Sequence, residues 1–269
     1  MEYELGIIGA GNMAEAIVRG VIQGGVIAPA KMVAADVSPQ RRELFANQLG
    51  IKAVEKPADA ARGAKIVLLS VKPYQMGEVL GEIRPSLRPD SLVVSIAAGI
   101  GSGAIEKHLG NGSWRVVRSM PNTPMLVGEG MVAIAAGKWA TPEDMATARR
   151  LFETAASVVE VKEEQMDAVT AVSGSGPAYF YYLVEQMTEA GVRLGLSTKD
   201  AELMARKTAL GAAKLLVNST DSPRELRRKV TTPGGTTAAA IDYMESHQMG
   251  QIVMDALSAA AQRSREMGK

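Results

Sequence analysis

The chain has 269 residues, 46% hydrophobic and 22% charged, the balance of an ordinary globular protein. Lys plus Arg number 30 and Asp plus Glu 29, for a formal net charge of +1, which argues against a nucleic-acid binder that works by charge. There is no cysteine and there are only two histidines, His108 and His247. Disulfides, thiolate catalysis, Cys-based metal sites and a three-His zinc site are therefore excluded, and no metal is expected.

The amino terminus, Met1-Glu2-Tyr3-Glu4, carries acid where a secretory signal carries base. The longest uncharged runs, 91–105 and 168–184, fall short of the ~20 apolar residues that a membrane span needs. Gly, Ser, Thr or Pro interrupts both runs. A cytoplasmic protein without membrane segments is expected. Aromatic residues make up 4% and methionine contributes 15, a bias that suits helices packed closely through small and pliable side chains.

Taken in chain order, residues 5–8 read as a buried strand and 12–23 as a helix. A second strand at 31–35 and a second helix at 39–49 follow. Further buried strands fall at 66–70 and 92–95, each followed by a helical stretch, 74–83 and 103–109. Shorter strands are expected at 114–118, 131–135 and 158–161. Continuous apolar strands between amphipathic helices imply a mostly parallel sheet covered on both faces, the doubly wound architecture. After about Val161 the strand signals stop. Residues 167–172, 178–194, 200–218, 223–230, 237–246 and 250–267 all read as helix, with Asp200 as a cap and Gly195 as a stop. The expected organisation is a Rossmann-like α/β domain, 1–162, followed by an all-α domain, 163–269.

Gly6-Ile7-Ile8-Gly9-Ala10-Gly11-Asn12-Met13-Ala14 follows the first strand and opens the first helix. It contains Gly-x-Gly-x-x-Ala in the context that a dinucleotide fingerprint requires. Gly9 permits the tight turn, Gly11 lets backbone approach a pyrophosphate, and Ala14 keeps the helix close to the sheet. Asp36 ends the second strand, where an acid accepts hydrogen bonds from a ribose and repels a 2′-phosphate, favouring NAD. Ser38, Arg41 and Arg42 follow at once, and arginine is the natural partner of a 2′-phosphate. The sequence leaves NADH and NADPH both open.

Ligands of open parallel sheets bind at the carboxyl ends of strands. Three unusual loops sit there: Val71-Lys72-Pro73, Ala97-Ala98-Gly99 and Met120-Pro121-Asn122-Thr123-Pro124. Two prolines around Asn122-Thr123 stiffen a turn that can place an amide and a hydroxyl. Two segments in the helical part are equally distinctive. Ser173-Gly174-Ser175-Gly176-Pro177-Ala178 opens the long helix, and Val230-Thr231-Thr232-Pro233-Gly234-Gly235-Thr236-Thr237 precedes a later one. The second offers consecutive N–H groups and hydroxyls around glycines, which suits a small carboxylate.

With these segments together, the chain closely resembles the pyrroline-5-carboxylate reductases over nearly its whole length. The carrying motifs are Ile8-Gly9-Ala10-Gly11-Asn12-Met13, Val71-Lys72-Pro73, Ser95-Ile96-Ala97-Ala98-Gly99, Arg118 to Pro124, Ser173 to Tyr179, and Thr232-Pro233-Gly234-Gly235-Thr236-Thr237. The resemblance implies reduction of 1-pyrroline-5-carboxylate to L-proline by hydride transfer from NADPH or NADH to a ring imine. It implies a homodimer formed through the carboxy-terminal helices, with the substrate between the cofactor domain of one subunit and the helical domain of its partner. Larger rings of dimers occur in the family. By position, the substrate residues fall on Glu163, Val230, Thr232, Gly235, Thr236 and Thr237. The cofactor contacts fall on Gly9, Gly11, Asn12, Met13, Val71, Lys72, Pro73, Ala97 and Asn122, beside the Asp36 already read from the strand end. Members often carry asparagine near the positions of Pro57 and Lys229, and this chain carries neither.

A protonated imine is already electrophilic, so no strong acid is needed to activate it, which fits a chain with two histidines. The Thr237 hydroxyl is expected to bond the ring nitrogen as the catalytic contact, with the N–H groups of Gly235, Thr236 and Thr237 on the carboxylate. Position favours solvent exposure for His108 and His247. The rival enzyme class is the 3-hydroxyacid dehydrogenases, which use a lysine on the helix after a glycine-rich turn. Residues 178–194 contain no lysine, which counts against that chemistry. A non-catalytic, NAD(P)-sensing dimer is the other alternative.

Overall fold

The computed structural model of the chain describes residues 2–110 and 112–268. Packing divides them into two compact units, one made of residues up to 175 with those from 260 on, the other of 176–259. The first unit is built on eight strands: β1 Tyr3–Ile8, β2 Met32–Ala35, β3 Lys52–Val54, β4 Ala64–Leu69, β5 Leu92–Ser95, β6 Arg115–Pro121, β7 Gly130–Ala136 and β8 Ala156–Glu160. Their order is β3-β2-β1-β4-β5-β6-β7-β8. The six strands from β3 to β6 are parallel neighbours, β7 runs antiparallel to β6, and β8 is parallel to β7. The order reverses between β2-β1 and β4, and ligands of such sheets bind at that switch point. The expected Rossmann-like sheet is present.

Helices α1 Asn12–Gln23, α2 Pro39–Leu49, α3 Pro57–Ala61, α4 Met76–Ile83, α5 Ser102–Leu109 and α6 Pro142–Phe152 connect the strands. They cover both faces. Ile17, Val21, Phe45, Leu151 and Phe152 close one apolar layer over Leu5, Ile7, Leu68 and Val94. Val79, Leu80, Ile83, Ile105 and Leu109 close the other over Ile8, Val33, Val67 and Val93. Alternate residues of each strand thus feed opposite layers, which is why the strands read as continuous apolar runs.

Strand β3 and helices α3 and α6 had no counterpart among the expected elements. β3 is three residues at the sheet edge with no buried position, too short for a period-2 signal. α6 did carry a signal: Asp144 N–H donates to Thr141 Oγ1 at 3.2 Å, and Thr141 N–H donates to Asp144 Oδ2 at 2.9 Å. That reciprocal pair is a capping box, with aspartate in the place usually held by Glu or Gln. After β8, α7 Met166–Val169 continues as a π-helical turn over Thr170–Gly174. The strands do end near the expected boundary at 162/163, but packing keeps 163–175 with the sheet, because Met166 is buried with Ala133 and Ala135.

The second unit contains α8 Gly176–Arg193, α9 Thr198–Asn218, α10 Pro223–Lys229, α11 Thr236–Ser246 and most of α12, Met249–Met267. Gly195, at φ +100, ends α8 as expected. The cap of α9 is Ser197, not Asp200: Asp200 N–H donates to Ser197 Oγ at 3.1 Å, and the Ser197 hydroxyl donates back to Asp200 Oδ2. Among the described residues of this unit only Gly176, Ala201 and Ala205 are buried. Phe180, Tyr181, Tyr182, Leu203, Leu215, Leu216 and Ile252 are all exposed. Helices that cannot bury their apolar faces among themselves need another surface. If a second copy supplies it, melting of the full chain becomes dependent on protein concentration, with Tm rising on tenfold concentration. A concentration-independent Tm in circular dichroism would contradict this.

Candidate active site

The turn between β1 and α1 is shaped by two glycines with different duties. Gly9 has φ +93, and a Cβ there would lie 2.7 Å from the Ser70 carbonyl oxygen. The fold itself therefore requires glycine. Gly11 caps α1 with φ −72, no side chain bonds its helix start, and a Cβ there would meet nothing within 4 Å. The protein's own atoms do not require glycine at 11. The space stands open before N–H groups that carry the positive end of a helix dipole, a setting that fits a pyrophosphate. Asn12 opens the helix exposed to solvent, and Met13 is half-buried against the core.

Side chains following β2 hold this turn. Ala10 N–H donates to Asp36 Oδ2 at 2.7 Å, and the Ala10 carbonyl accepts from Arg41 Nε. Both backbone groups of the residue between the two glycines are thus clamped. Asp36 Oδ1 accepts from Ser38 N–H at 2.8 Å. Arg41 continues to Glu15 Oε2 at 2.8 Å, and Arg19 reaches Glu15 Oε1. Partial burial opposes ionisation of Glu15, but the two guanidinium groups outweigh it and hold its carboxyl below the ordinary value of 4.5.

A cleft of about 210 Å³ opens beside the turn, between Gly9, Gly11, Asp36 and Val37 on one side and Val71, Lys72 and Val79 on the other. Lys72 is exposed, Pro73 half-buried, and Lys72 N–H donates to Gln75 Oε1 at 3.2 Å. These predicted residues are brought together. Ala97 and Asn122 are buried elsewhere in the same unit. Asn122 Oδ1 accepts from Met131 N–H at 2.9 Å, and its Nδ2 donates to Ser173 O and Oγ, both at 3.3 Å. Its amide thus ties the proline-flanked loop to the Ser173-Gly174 segment. Ala97 N–H donates to Ser95 Oγ, and a Cβ on Gly99 would lie 2.7 Å from Ser264 O. Close approach of the end of α12 therefore accounts for that glycine.

Glu163 also lies in this unit. Its Oε1 accepts from Ser102 N–H at 2.8 Å and from Arg118 Nη1 at 3.2 Å, and its Oε2 accepts from the Ser102 hydroxyl at 2.5 Å. It caps α5 and neutralises Arg118, whose side chain is only 8% exposed. Asp167 completes the group, 4.0 Å from Arg118 and accepting from Ser264 Oγ at 2.6 Å. Sequence reasoning missed this cluster and the Glu15–Arg41 clamp. One signal was Arg118, a second arginine placed after two valines inside β6.

The remaining predicted residues share one loop of the helical unit. Gly234 has φ +72, and Gly235 N–H donates to Thr232 O at 3.0 Å. A Cβ on Gly235 would fall 2.8 Å from Thr232 Oγ1. Gly235 caps α11 without any side-chain bond, and the first carbonyl inside the helix pattern, Gly235 O, is taken by Ala239 N–H. The N–H groups before Ala239 therefore point outward without helical partners. Thr237 is half-buried there; Thr232 and Val230 are exposed. His108 and His247 are both exposed, each with Nδ1 on a carbonyl of its own helix.

Residues 163–267 match the family model described as pyrroline-5-carboxylate reductase dimerisation, and residues 4–99 match one described as NADP oxidoreductase coenzyme F420-dependent. The chain belongs to the pyrroline-5-carboxylate reductase family. It is 42% identical over 266 residues to the pyrroline-5-carboxylate reductase of Pseudomonas aeruginosa, covering 98% of this chain and 97% of that protein. A solved pyrroline-5-carboxylate reductase from Coxiella burnetii superposes with TM-score 0.90 at 35% identity, covering all of both chains. One from Plasmodium falciparum, with NADP bound, gives TM-score 0.89 at 30% identity, covering 99% and 98%. The expected family, fold and nicotinamide-cofactor class therefore stand.

Gly11→Ala is expected to leave unfolding stability within about 1 kcal/mol of wild type while weakening nucleotide affinity by about tenfold or more. Gly9→Ala is expected to lose about 1–2 kcal/mol from backbone conformation alone, before the clash. Urea titration and nucleotide fluorescence titration together separate the two. Glu15→Gln is expected to be destabilising near pH 7. A lowered carboxyl contributes stability above its unfolded value, near 4.5, and loses it as pH falls. The gap between variant and wild type should close in urea melts below that pH.

Proposed function

We propose that the chain reduces 1-pyrroline-5-carboxylate to L-proline with NADPH or NADH, the last step of proline biosynthesis. The observation that carries this reading is the presence, in one chain, of two bare helix starts of different chemistry. One is the glycine turn at 9–11, open and clamped from behind. The other is the hydroxyl-rich loop at 230–237, where Gly235 exposes consecutive N–H groups. The first suits a dinucleotide and the second a small carboxylate. The family match over both parts of the chain supports the same reading.

The bound nicotinamide supplies the hydride that the ring imine carbon accepts. The chain's own residues orient and bind. Gly9, Gly11, Asn12 and Met13 present the α1 start to the pyrophosphate, Asp36, Val71 and Lys72 line the cleft beside it, and Pro73 fixes the backbone that follows Lys72. Ala97 and Asn122 act by holding their loops in place. The N–H groups of Thr236 and Thr237 hold the substrate carboxylate, while Gly235, whose own N–H is on Thr232 O, keeps the helix start open beside Val230 and Thr232. The Thr237 hydroxyl accepts from the iminium N–H and keeps the imine carbon in position, where orientation supplies most of the rate gain. Glu163 supports the substrate region through Arg118 and Ser102. No residue of this set has to move a proton to activate the ring, because the substrate binds as the iminium.

The functional division we propose is a nucleotide domain, 1–162, and a dimerisation and substrate domain, 163–269; the second coincides with the dimerisation match that begins at 163. The chain forms homo-oligomers through its carboxy-terminal helices, whose apolar faces are exposed. A homodimer is the basic unit, and a ring of dimers is the further assembly consistent with the resemblance. No described helix is long and apolar enough to cross a membrane, and we place the enzyme in the cytoplasm with the other small-molecule steps of this class.

Loss of NAD(P)H absorbance on adding pyrroline-5-carboxylate, with none on adding 3-hydroxyacids and oxidised cofactor, is the expected result. No turnover of the imine would remove the proposal. Thr237→Ala is expected to lower kcat by about 10²-fold, in the range of a lost positioning contact, with nucleotide affinity unchanged. Wild-type turnover and KM in that variant would remove the role given to the hydroxyl.

A further inference from the structure

The sequence sets Asp36 against Arg41 and Arg42 in the choice between NADH and NADPH. What the two guanidinium groups hold decides between them. Arg41 Nε is on the Ala10 carbonyl, and its Nη2 is on Glu15 Oε2. Arg42 Nη1 donates to the carbonyls of Asp36 at 2.8 Å and Val37 at 2.9 Å, and its Nη2 lies 4.0 Å from Glu55 Oε2. We infer that this chain selects NADH over NADPH, because Asp36 and Glu55 line the nucleotide cleft while Arg41 and Arg42 beside them are already anchored on backbone carbonyls and face the carboxylates of Glu15 and Glu55. The inference rests on reading the glycine turn as a nicotinamide-dinucleotide site.

The argument is one of donors and acceptors. The Asp36 carboxylate has about four acceptor positions, and backbone N–H groups of Ala10 and Ser38 take two. Capacity remains for the hydroxyls of an unmodified ribose. A phosphate ester at that place brings only acceptors, with close to two negative charges at neutral pH. It would meet Asp36 and, on the same cleft wall, Glu55. Like charges a few ångströms apart in a half-enclosed cleft repel strongly.

Relief would have to come from an arginine. Withdrawing Arg41 would release the Ala10 carbonyl of the glycine turn itself and strip Glu15 of a partner. Arg42 keeps its Nη1 on two carbonyls of the loop after β2 while its Nη2 faces Glu55, so a phosphate would have to compete with that carboxylate for the guanidinium. Lys72 is the cation remaining among the residues that line it, and it stands on the loop after β4, across the cleft from Asp36. Pro57, also in the lining, has no N–H and offers a phosphate no donor from the wall that carries Glu55.

The test is direct binding to the full-length protein at fixed salt without pyrroline substrate, followed by nucleotide fluorescence. Wild type is expected to bind NADH about tenfold or more tightly than NADPH, the size of one added repulsive charge contact. Asp36→Ser is expected to reduce that ratio by about tenfold, and Arg42→Gln to leave it within about twofold. Should Asp36→Ser fail to fold for want of the Ala10 bond, Glu55→Gln probes the same wall and is expected to move the ratio toward NADPH. Equal or tighter binding of NADPH by wild type would overturn the inference, as would a selective loss of NADPH affinity in Arg42→Gln. Binding of neither nucleotide would overturn the underlying site reading as well. NADPH-preferring binding with full pyrroline turnover would overturn the inference alone.

Discussion

A nucleotide turn has to satisfy two opposed demands: its backbone must stay in a conformation that chain entropy disfavours, and its face must stay bare. Here the opposition is met from behind. Asp36 and Arg41 take the N–H and the carbonyl of Ala10, so the residue between the two glycines is fixed without any side chain entering the space before α1. The clamp also explains why an acid and a base sit together after β2. Each corrects the other's charge near the turn, and Glu15 and Arg19 extend the alternation outward. Removing one member would leave a buried or half-buried polar group without its partner, a cost that usually exceeds the worth of the bond itself.

The second unit follows an opposite rule. Its helices are well formed and well capped, with Ser197 and Ser222 accepting from N–H groups three residues on, yet they leave their large apolar side chains outside. Local helix signals and tertiary burial are separable properties, and this unit has the first without the second. The loop at 230–237, proposed above to bind the substrate, is anchored on that frame, so its geometry is only as firm as whatever surface covers the helices.

Much of the fold could be read in advance. Strand–helix alternation through β5, the limits of α1 and α2, and the fingerprint at 9–14 are local patterns with fixed periods, and local patterns survive in sequence. The edge strand β3 was too short to show a period, and α6 was announced only by its capping box. The site residues divide in the same way. Gly9, Gly11 and the 230–237 loop were legible because glycine and threonine have few reasons to cluster. The working partners of Asn122 and Glu163 were not, since Ser173 lies 51 positions from the first and Ser102 61 positions from the second. Arg41 and Arg42 look like phosphate ligands in one dimension; only their carbonyl partners reveal the scaffold duty.

The pairing of Ser264 with Asp167 spans 97 positions, and the same stretch of α12 closes over Gly99. A chain emerging from the ribosome can lay down its strands early, but the loop after β5 and the Arg118 cluster lack their final neighbours until the helical segment has been made. The carboxyl ends of the interior strands β5 and β6 therefore gain their last neighbours only when the final helix has been made, and the nascent chain carries a sheet with these ends uncovered until then.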